Sequence, residues 1–165
     1  MSRSTLFPIN LWAVATHIID RYSGYHWIFF SYSKTEIFQS FQIWIEYIEG
    51  QTVLQVQIIQ IDDGTEFCPK EIHACCEKKG IAYRPIVPLS SEMNGPIEKA
   101  GRWIMDLART TLLQRNCPQS DWPYAEAAAV HVINFIPSDR NPNGECPHKG
   151  YWSAEEILES PDQIR

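Results

Sequence analysis

The sequence predicts a mixed α/β domain in which a strand hairpin comes first and strands then alternate with helices. Two aromatic and β-branched runs, residues 12–19 and 25–30, flank the turn residues RYSG, which is typical of an antiparallel hairpin. Strand-like runs and amphipathic helical periodicity alternate after it. With 165 residues, 44% of them hydrophobic, the chain is long enough for one packed core and too apolar for a disordered tail.

The first helix and the later strands follow from spacing and turn residues. Ser33 and Glu36 form a capping-box pattern, and apolar residues at helical spacing then predict a helix up to Gly50. Residues 53–61 alternate and then become continuously apolar, which indicates a strand whose end is buried on both faces. A short helix runs from Pro69 to Gly80, and a further strand occupies residues 81–87.

Helices dominate the prediction for the rest of the chain. Residues 88–95 are expected to form a polar loop, and Pro96 is expected to open a helix. Its apolar stripe consists of Ile97, Ala100, Ile104, Leu107, Ala108 and Thr111. Another helix is predicted from about Ser120 to Pro137, and the residues beyond it are expected to be loop.

Charge and cysteine content limit the classes of function. The net charge of −6 argues against a surface that binds nucleic acid throughout, although residues 61–116 are balanced at 8 basic and 8 acidic side chains. The five cysteines include no CxxC pair, which favours a reducing compartment and predicts neither a disulfide framework nor a zinc site. No run of 18 apolar residues indicates a membrane span.

Two acidic positions stand where ligands often bind. Asp62 and Asp63 follow a buried strand and precede Gly64, at an edge that commonly carries functional groups in α/β sheets. An Asp-Asp-Gly turn explains the same residues without a ligand. Glu98 lies near the start of the predicted helix, where a carboxylate also suits the helix dipole. Thirty-five residues separate Asp62 from Glu98.

Five segments together resemble the integrase catalytic core of copia-type retrotransposons, and they occur in the order of that family. The segments are IDDGTEF, PLSSEMNGPIEK, RWIMDLAR, SDWPYAEAAAVHVINFIPS and GECPHKGYW. The stretch HIIDRYSGYHWIFFSYSKTEIF is similar to the hairpin and helix of the same family. The resemblance extends from about residue 12 to residue 152.

The resemblance implies an RNase H-like fold, a mixed sheet flanked by helices, over residues 1–152, with residues 153–165 as a tail or the start of a linker. It implies DNA integration, that is 3′-end processing and strand transfer at a pair of Mg²⁺ or Mn²⁺ ions. By resemblance, Asp62 is the second metal-binding acid and Glu98 the third. Asn94, Lys99 and Arg102 correspond to DNA-contacting positions, for which an ordinary solvated helix face is the alternative.

The first catalytic acid of the family has no counterpart. It lies upstream of the hairpin, and residues 1–19 contain no Asp or Glu. Asp20 is the earliest carboxylate, and we interpret it as a turn residue rather than as a substitute metal ligand. We therefore expect a core that lacks its first, central strand, binds Mg²⁺ weakly and is inactive alone. A non-catalytic, nucleic-acid-binding or self-associating relic is the alternative.

Partners and location follow from the same resemblance. It implies binding to the ends of the element DNA and to target DNA, with RNA as a further candidate, and assembly into a homodimer. It also implies a nuclear site of action after a cytoplasmic particle stage. An unrelated metal nuclease of RNase H-like fold is a third interpretation, against which the segment GECPHKGYW argues.

Overall fold

The computed structural model describes residues 14–52, 55–62, 69–86, 91–139, 141 and 144–152. The elements are β1 (Val14–Ile19), β2 (His26–Ser31), α1 (Lys34–Gln51), β3 (Ile58–Asp62), α2 (Pro69–Lys79), β4 (Ala82–Ile86), α3 (Ser91–Arg115), α4 (Trp122–Phe135) and α5 (Pro147–Trp152). A short 3₁₀ turn leads into α4. This order confirms the predicted mixed α/β class, with a hairpin first and alternating elements after it.

The described strands form two separate ladders. β1 and β2 pair antiparallel, with Val14 opposite Ser31 and Ile19 opposite His26. β3 and β4 pair parallel, with Ile58 opposite Ala82. Within the described residues no ladder joins the two pairs, where the sequence predicted one mixed sheet. The prediction that the first, central strand is missing applies to the chain before Val14, which lies outside the described residues.

The turn of the hairpin is organised by Asp20. Its Oδ2 accepts hydrogen bonds from the backbone N–H and from the hydroxyl of Ser23, both at 2.7 Å. Gly24 follows with a φ of 71°, a left-handed conformation that glycine adopts without a Cβ clash. The interpretation of Asp20 as a turn residue is therefore confirmed.

The larger core lies between α1 and both strand ladders. Ile45 is fully buried on α1, and the same cluster includes Ile59 of β3 and Ile72 of α2. Aromatic rings extend this core toward α5, because Trp27 of β2 contacts Tyr151 with ring centroids 5.0 Å apart. Residues from the two ladders thus share one interior, although no backbone hydrogen bond joins them in the described part.

A smaller core joins α3 to α4. Ile104 and Ala108 of α3 are buried against Ala129 and Ile133 of α4. Leu107 is partly buried beside them. The predicted apolar stripe is therefore confirmed at these positions of α3, while the side chain of Ile97 lies outside the described residues.

Two asparagines fix the later helices to the hairpin. The Asn134 amide on α4 accepts from the His26 backbone N–H at 2.8 Å and donates to the His26 carbonyl at 2.9 Å. The Asn141 amide donates to the Ser23 carbonyl at 3.0 Å. A Cβ at Gly150 would lie 2.5 Å from Asn141 Oδ1, so only glycine lets α5 approach this closely.

Three local predictions were wrong. Helix α3 begins at Ser91 rather than at Pro96, because Pro96 falls within the first turns, where its missing N–H removes a single intrahelical bond. The segment expected as loop near the end contains α5, whose Tyr151 is buried among aromatic rings. The Ser33 side chain makes no capping bond, although the Glu36 carboxylate accepts from the Tyr32 N–H at 2.8 Å.

Strand β3 is also shorter than predicted. Residues 55–57 are described and are not strand, and residues 53 and 54 lie outside the described residues. Of the helices in the described ranges, none combines the length and apolar character that crossing a membrane requires.

Candidate nucleic-acid interface on helix α3

Asp62 is the last residue of β3, at the carboxyl end of the parallel ladder, as predicted. Two residues before it, the Gln60 side chain accepts a hydrogen bond from Arg21 Nη1 at 3.1 Å. Arg21 belongs to the hairpin turn, so this bond places the turn beside the end of β3. The Asp62 side chain and the neighbouring Asp63 lie outside the described residues.

Glu98 lies on α3 and is exposed. It is the eighth residue of the helix rather than part of the first turn, because α3 begins at Ser91. Its distance from the N-terminus removes the helix dipole as an explanation for a carboxylate at this position, since that effect fades within the first turn. An exposed carboxylate two turns into a helix is available to a ligand.

The predicted DNA-contacting residues share this part of α3. Lys99 and Arg102 are both exposed. Arg102 follows Glu98 by four residues and therefore lies on the same face, with Lys99 next to it around the helix. Asn94 belongs to the same helix, and its side chain lies outside the described residues. The structure thus brings Glu98, Lys99 and Arg102 together.

A cavity of about 430 Å³ adjoins this part of α3. It opens between the hairpin turn, α3 and the segment that follows α4. Lys99 lines it together with Gly24 of the turn. The hairpin turn therefore contacts β3 through Arg21 and faces α3 across the cavity. The two predicted acids, Asp62 on β3 and Glu98 on α3, thus belong to elements that border the same turn.

The described residues show donors of the right type for Mg²⁺ but not a complete site. Carboxylate oxygens are the ligands that this hard cation prefers. No group of three His, Cys, Asp or Glu side chains in the described ranges stands close enough together to hold a metal ion. The two predicted metal ligands are Glu98, exposed on α3, and Asp62, at the end of β3.

The groups with shifted pKa values lie elsewhere. Burial raises the pKa of the Tyr25 phenol, and the nearby Tyr47 adds to the effect. Burial also raises the pKa of the Cys76 thiol, next to Cys75. A hydrogen bond from Lys79 to Glu49, 2.8 Å long, raises the pKa of that ammonium. All of these groups belong to the larger core or its rim.

Curated relatives match this chain over a short part of their own length. It is 30% identical over 120 residues to a Pol polyprotein of the transposon TNT 1-94 from Nicotiana tabacum, covering 73% of this chain and 9% of that protein. It is 26% identical over 133 residues to the Ty1-LR3 Gag-Pol polyprotein of Saccharomyces cerevisiae, covering 79% of this chain and 8% of that protein. The chain is homologous to a segment of retrotransposon Pol polyproteins. No protein-family model matches it.

Solved structures identify the fold of this chain. The catalytic core of BIV integrase superposes with a TM-score of 0.61 at 17% identity, covering 88% of this chain and 90% of that one. The HTLV-2 integrase catalytic core, solved with magnesium in a trimeric form, gives a TM-score of 0.58 at 20% identity, covering 87% and 97%. The chain therefore has the RNase H-like fold of integrase catalytic cores, as its sequence predicts.

Sequence reasoning assigned no ligand to two residues that line the cavity, Trp103 and Asp139. Trp103 lies within the segment RWIMDLAR, whose resemblance to the family did not single it out. One signal was present, because Trp103 lies four residues after Lys99 and hence on the same helix face. Its indole is 48% exposed, in contrast to the buried Ile104 beside it.

Proposed function

We propose that this chain is the catalytic core of a retrotransposon integrase and acts in DNA integration. The observation that carries the proposal is the placement of Glu98, Lys99 and Arg102 together on the exposed side of α3 in a chain with this fold and these relatives. The matched segment spans about a tenth of the curated relatives, so the activity of a whole Pol polyprotein is not implied for this chain alone.

The chemistry assigns different tasks to these side chains. Lys99 and Arg102 would neutralise DNA phosphates and hold the strand along α3. Glu98 and Asp62 would hold Mg²⁺ or Mn²⁺, which supplies charge stabilisation for the phosphoryl oxygens when bound. With only two acidic positions in place, we expect weak metal binding and no strand transfer by the chain alone.

The remaining proposals follow from the same role. The DNA partners would be the ends of the element and the target duplex, with RNA as a further candidate, and the chain would form a homodimer. Chromosomal target DNA requires action in the nucleus. One fold neighbour is part of an intasome, the simian T-cell lymphotropic virus assembly, with a TM-score of 0.63 at 16% identity, covering 97% of this chain and 58% of that one.

Salt dependence of DNA binding tests the role of the basic residues. The double variant Lys99→Gln/Arg102→Gln should bind duplex DNA more weakly and lower the slope of log affinity against log salt by about 1 for each phosphate that is no longer neutralised. Lys78→Gln, an exposed lysine on α2, is the control and should leave the slope near that of the parent chain. An unchanged slope in the double variant would show that Lys99 and Arg102 of α3 do not contact DNA phosphates.

The metal proposal has a separate test. Calorimetric titration with Mn²⁺ should detect weak binding to the parent chain that Glu98→Gln removes. Mn²⁺ binding that does not depend on Glu98 would contradict its role as a metal ligand. The remaining interpretation would then be that the chain is a non-catalytic, nucleic-acid-binding relic. Strand-transfer assays with the purified chain should give no product. Robust Mg²⁺-dependent transfer that Glu98→Gln abolishes would instead show that the chain is active as it stands.

A further inference from the structure

The cavity beside α3 has the volume of a ligand site. Its volume of about 430 Å³ falls in the range of about 300–1,000 Å³ that small-molecule sites occupy. Its walls come from three parts of the chain: the hairpin turn, α3, and the segment from the end of α4 to α5. Apolar residues such as Ile19, Ala100 and Trp103 line it together with the polar residues His26 and Ser138 and the charged residues Lys99 and Asp139.

Hydrogen bonds join two of these walls, the hairpin and the segment from the end of α4 to α5. Asn134 joins α4 to the backbone of His26 with two bonds, and Asn141 bonds the carbonyl of Ser23 in the hairpin turn. The Ser138 N–H donates to the Glu145 carbonyl at 3.1 Å. The third wall, α3, packs on α4 through the smaller core around Ile104. Because all three walls are held by contacts within the protein, the cavity is preformed rather than opened by its occupant.

The lining selects a flat, largely apolar group that is attached to an anion. Apolar residues, chiefly isoleucine and proline together with Ala100 and Trp103, make up more than half of the lining, and Trp103 is 48% exposed. Two charged residues, Lys99 and Asp139, are exposed on the lining. An ammonium contacts phosphate, and a carboxylate accepts hydrogen bonds from the exocyclic amino group of a base.

The cavity is adjacent to the proposed path of DNA on α3. Lys99 and Trp103 are four residues apart and share one face of the helix, while Glu98 and Arg102 share the neighbouring face, about 100° around. A strand that contacts Arg102 and Lys99 therefore passes the mouth of the cavity. One nucleotide of that strand can turn its base inward without leaving the basic residues.

We propose that the cavity receives an unpaired nucleobase of a DNA strand, which stacks on Trp103 while Lys99 contacts the adjoining phosphate. The inference rests on the proposed function. It adds a preference for unpaired DNA over intact duplex, which phosphate contacts alone do not produce. Stacking on an aromatic ring requires a free base face, so a base held inside an intact duplex does not enter. The site therefore distinguishes frayed, single-stranded or distorted DNA from regular duplex.

Fluorescence anisotropy with two labelled probes tests this directly. One probe is a short single strand, and the other is a blunt duplex of the same composition. Trp103→Leu should weaken single-strand binding roughly tenfold and leave duplex binding near that of the parent chain. Trp103→Tyr retains an aromatic face and should restore most of the single-strand affinity. Tyr124→Leu, which removes an aromatic ring 57% exposed on α4, should change neither.

A second variant fills part of the cavity and keeps the indole of Trp103. Ala100→Leu places a larger side chain on the lining and should produce the same selective loss of single-strand binding. Equal loss on both probes, or no loss in Trp103→Leu, would overturn the cavity proposal and leave the proposed function standing. A parent chain that binds neither probe would overturn both.

Discussion

Replacing Asn134 with leucine is expected to lower the free energy of unfolding by about 2–4 kcal/mol. The amide is buried and makes two hydrogen bonds to the backbone of His26, one in each direction. Leucine has a similar size but no polar atoms, so a backbone N–H and a carbonyl are left without these partners inside the protein. Chemical denaturation monitored by circular dichroism measures the change.

A matched control separates this effect from a general effect of removing an amide. Gln39 is exposed on α1, and Gln39→Leu should shift stability by less than about 0.5 kcal/mol. Amide hydrogen exchange gives a second measurement, since the N–H of His26 should lose protection in Asn134→Leu. Native-like protection of this N–H together with unchanged stability would show that the asparagine does not hold α4 to the hairpin.

Replacing Ile104 with alanine is expected to destabilise the protein by about 2–5 kcal/mol. Its side chain is fully buried in the smaller core, between α3 and α4. The destabilisation combines reduced apolar burial with a cavity that neighbouring side chains fill only in part. Because α3 also carries Glu98, Lys99 and Arg102, DNA binding should weaken in conditions where the variant is partly unfolded.

The control for this prediction lies on the same helix. Leu113 is 82% exposed, so Leu113→Ala removes the same number of carbon atoms where little surface is buried. Its effect on stability should stay below about 0.5 kcal/mol. Similar destabilisation in both variants would mean that α3 is not packed on α4 through Ile104.

Local patterns predicted the helices and the hairpin well because they act over a few residues. The stripe through Ile104 and Ala108 is readable from 3.6-residue periodicity, and the role of Asp20 follows from turn chemistry. The start of α3 was predicted five residues late, because Gly95 and Pro96 normally interrupt a helix.

Features that depend on distant residues were not predictable in this way. Helix α5 contains a glycine and is six residues long, and its stability comes from the burial of Tyr151 rather than from propensity. The division of strands into two ladders depends on pairing across the fold. For the candidate site, the elements that carry Asp62 and Glu98 were predicted, whereas the cavity lined by Trp103 was not, since its walls come from both ends of the described chain.

The asparagine bonds also set an order of events during folding. His26 and Asn134 are separated by 108 positions, and Ser23 and Asn141 by 118, so each bond closes a loop through most of the chain. The entropic cost of such closures places them late, after locally paired elements have formed. During synthesis the hairpin leaves the ribosome long before α4 exists. Until the last helices emerge, the hairpin lacks the bonds from Asn134 and Asn141.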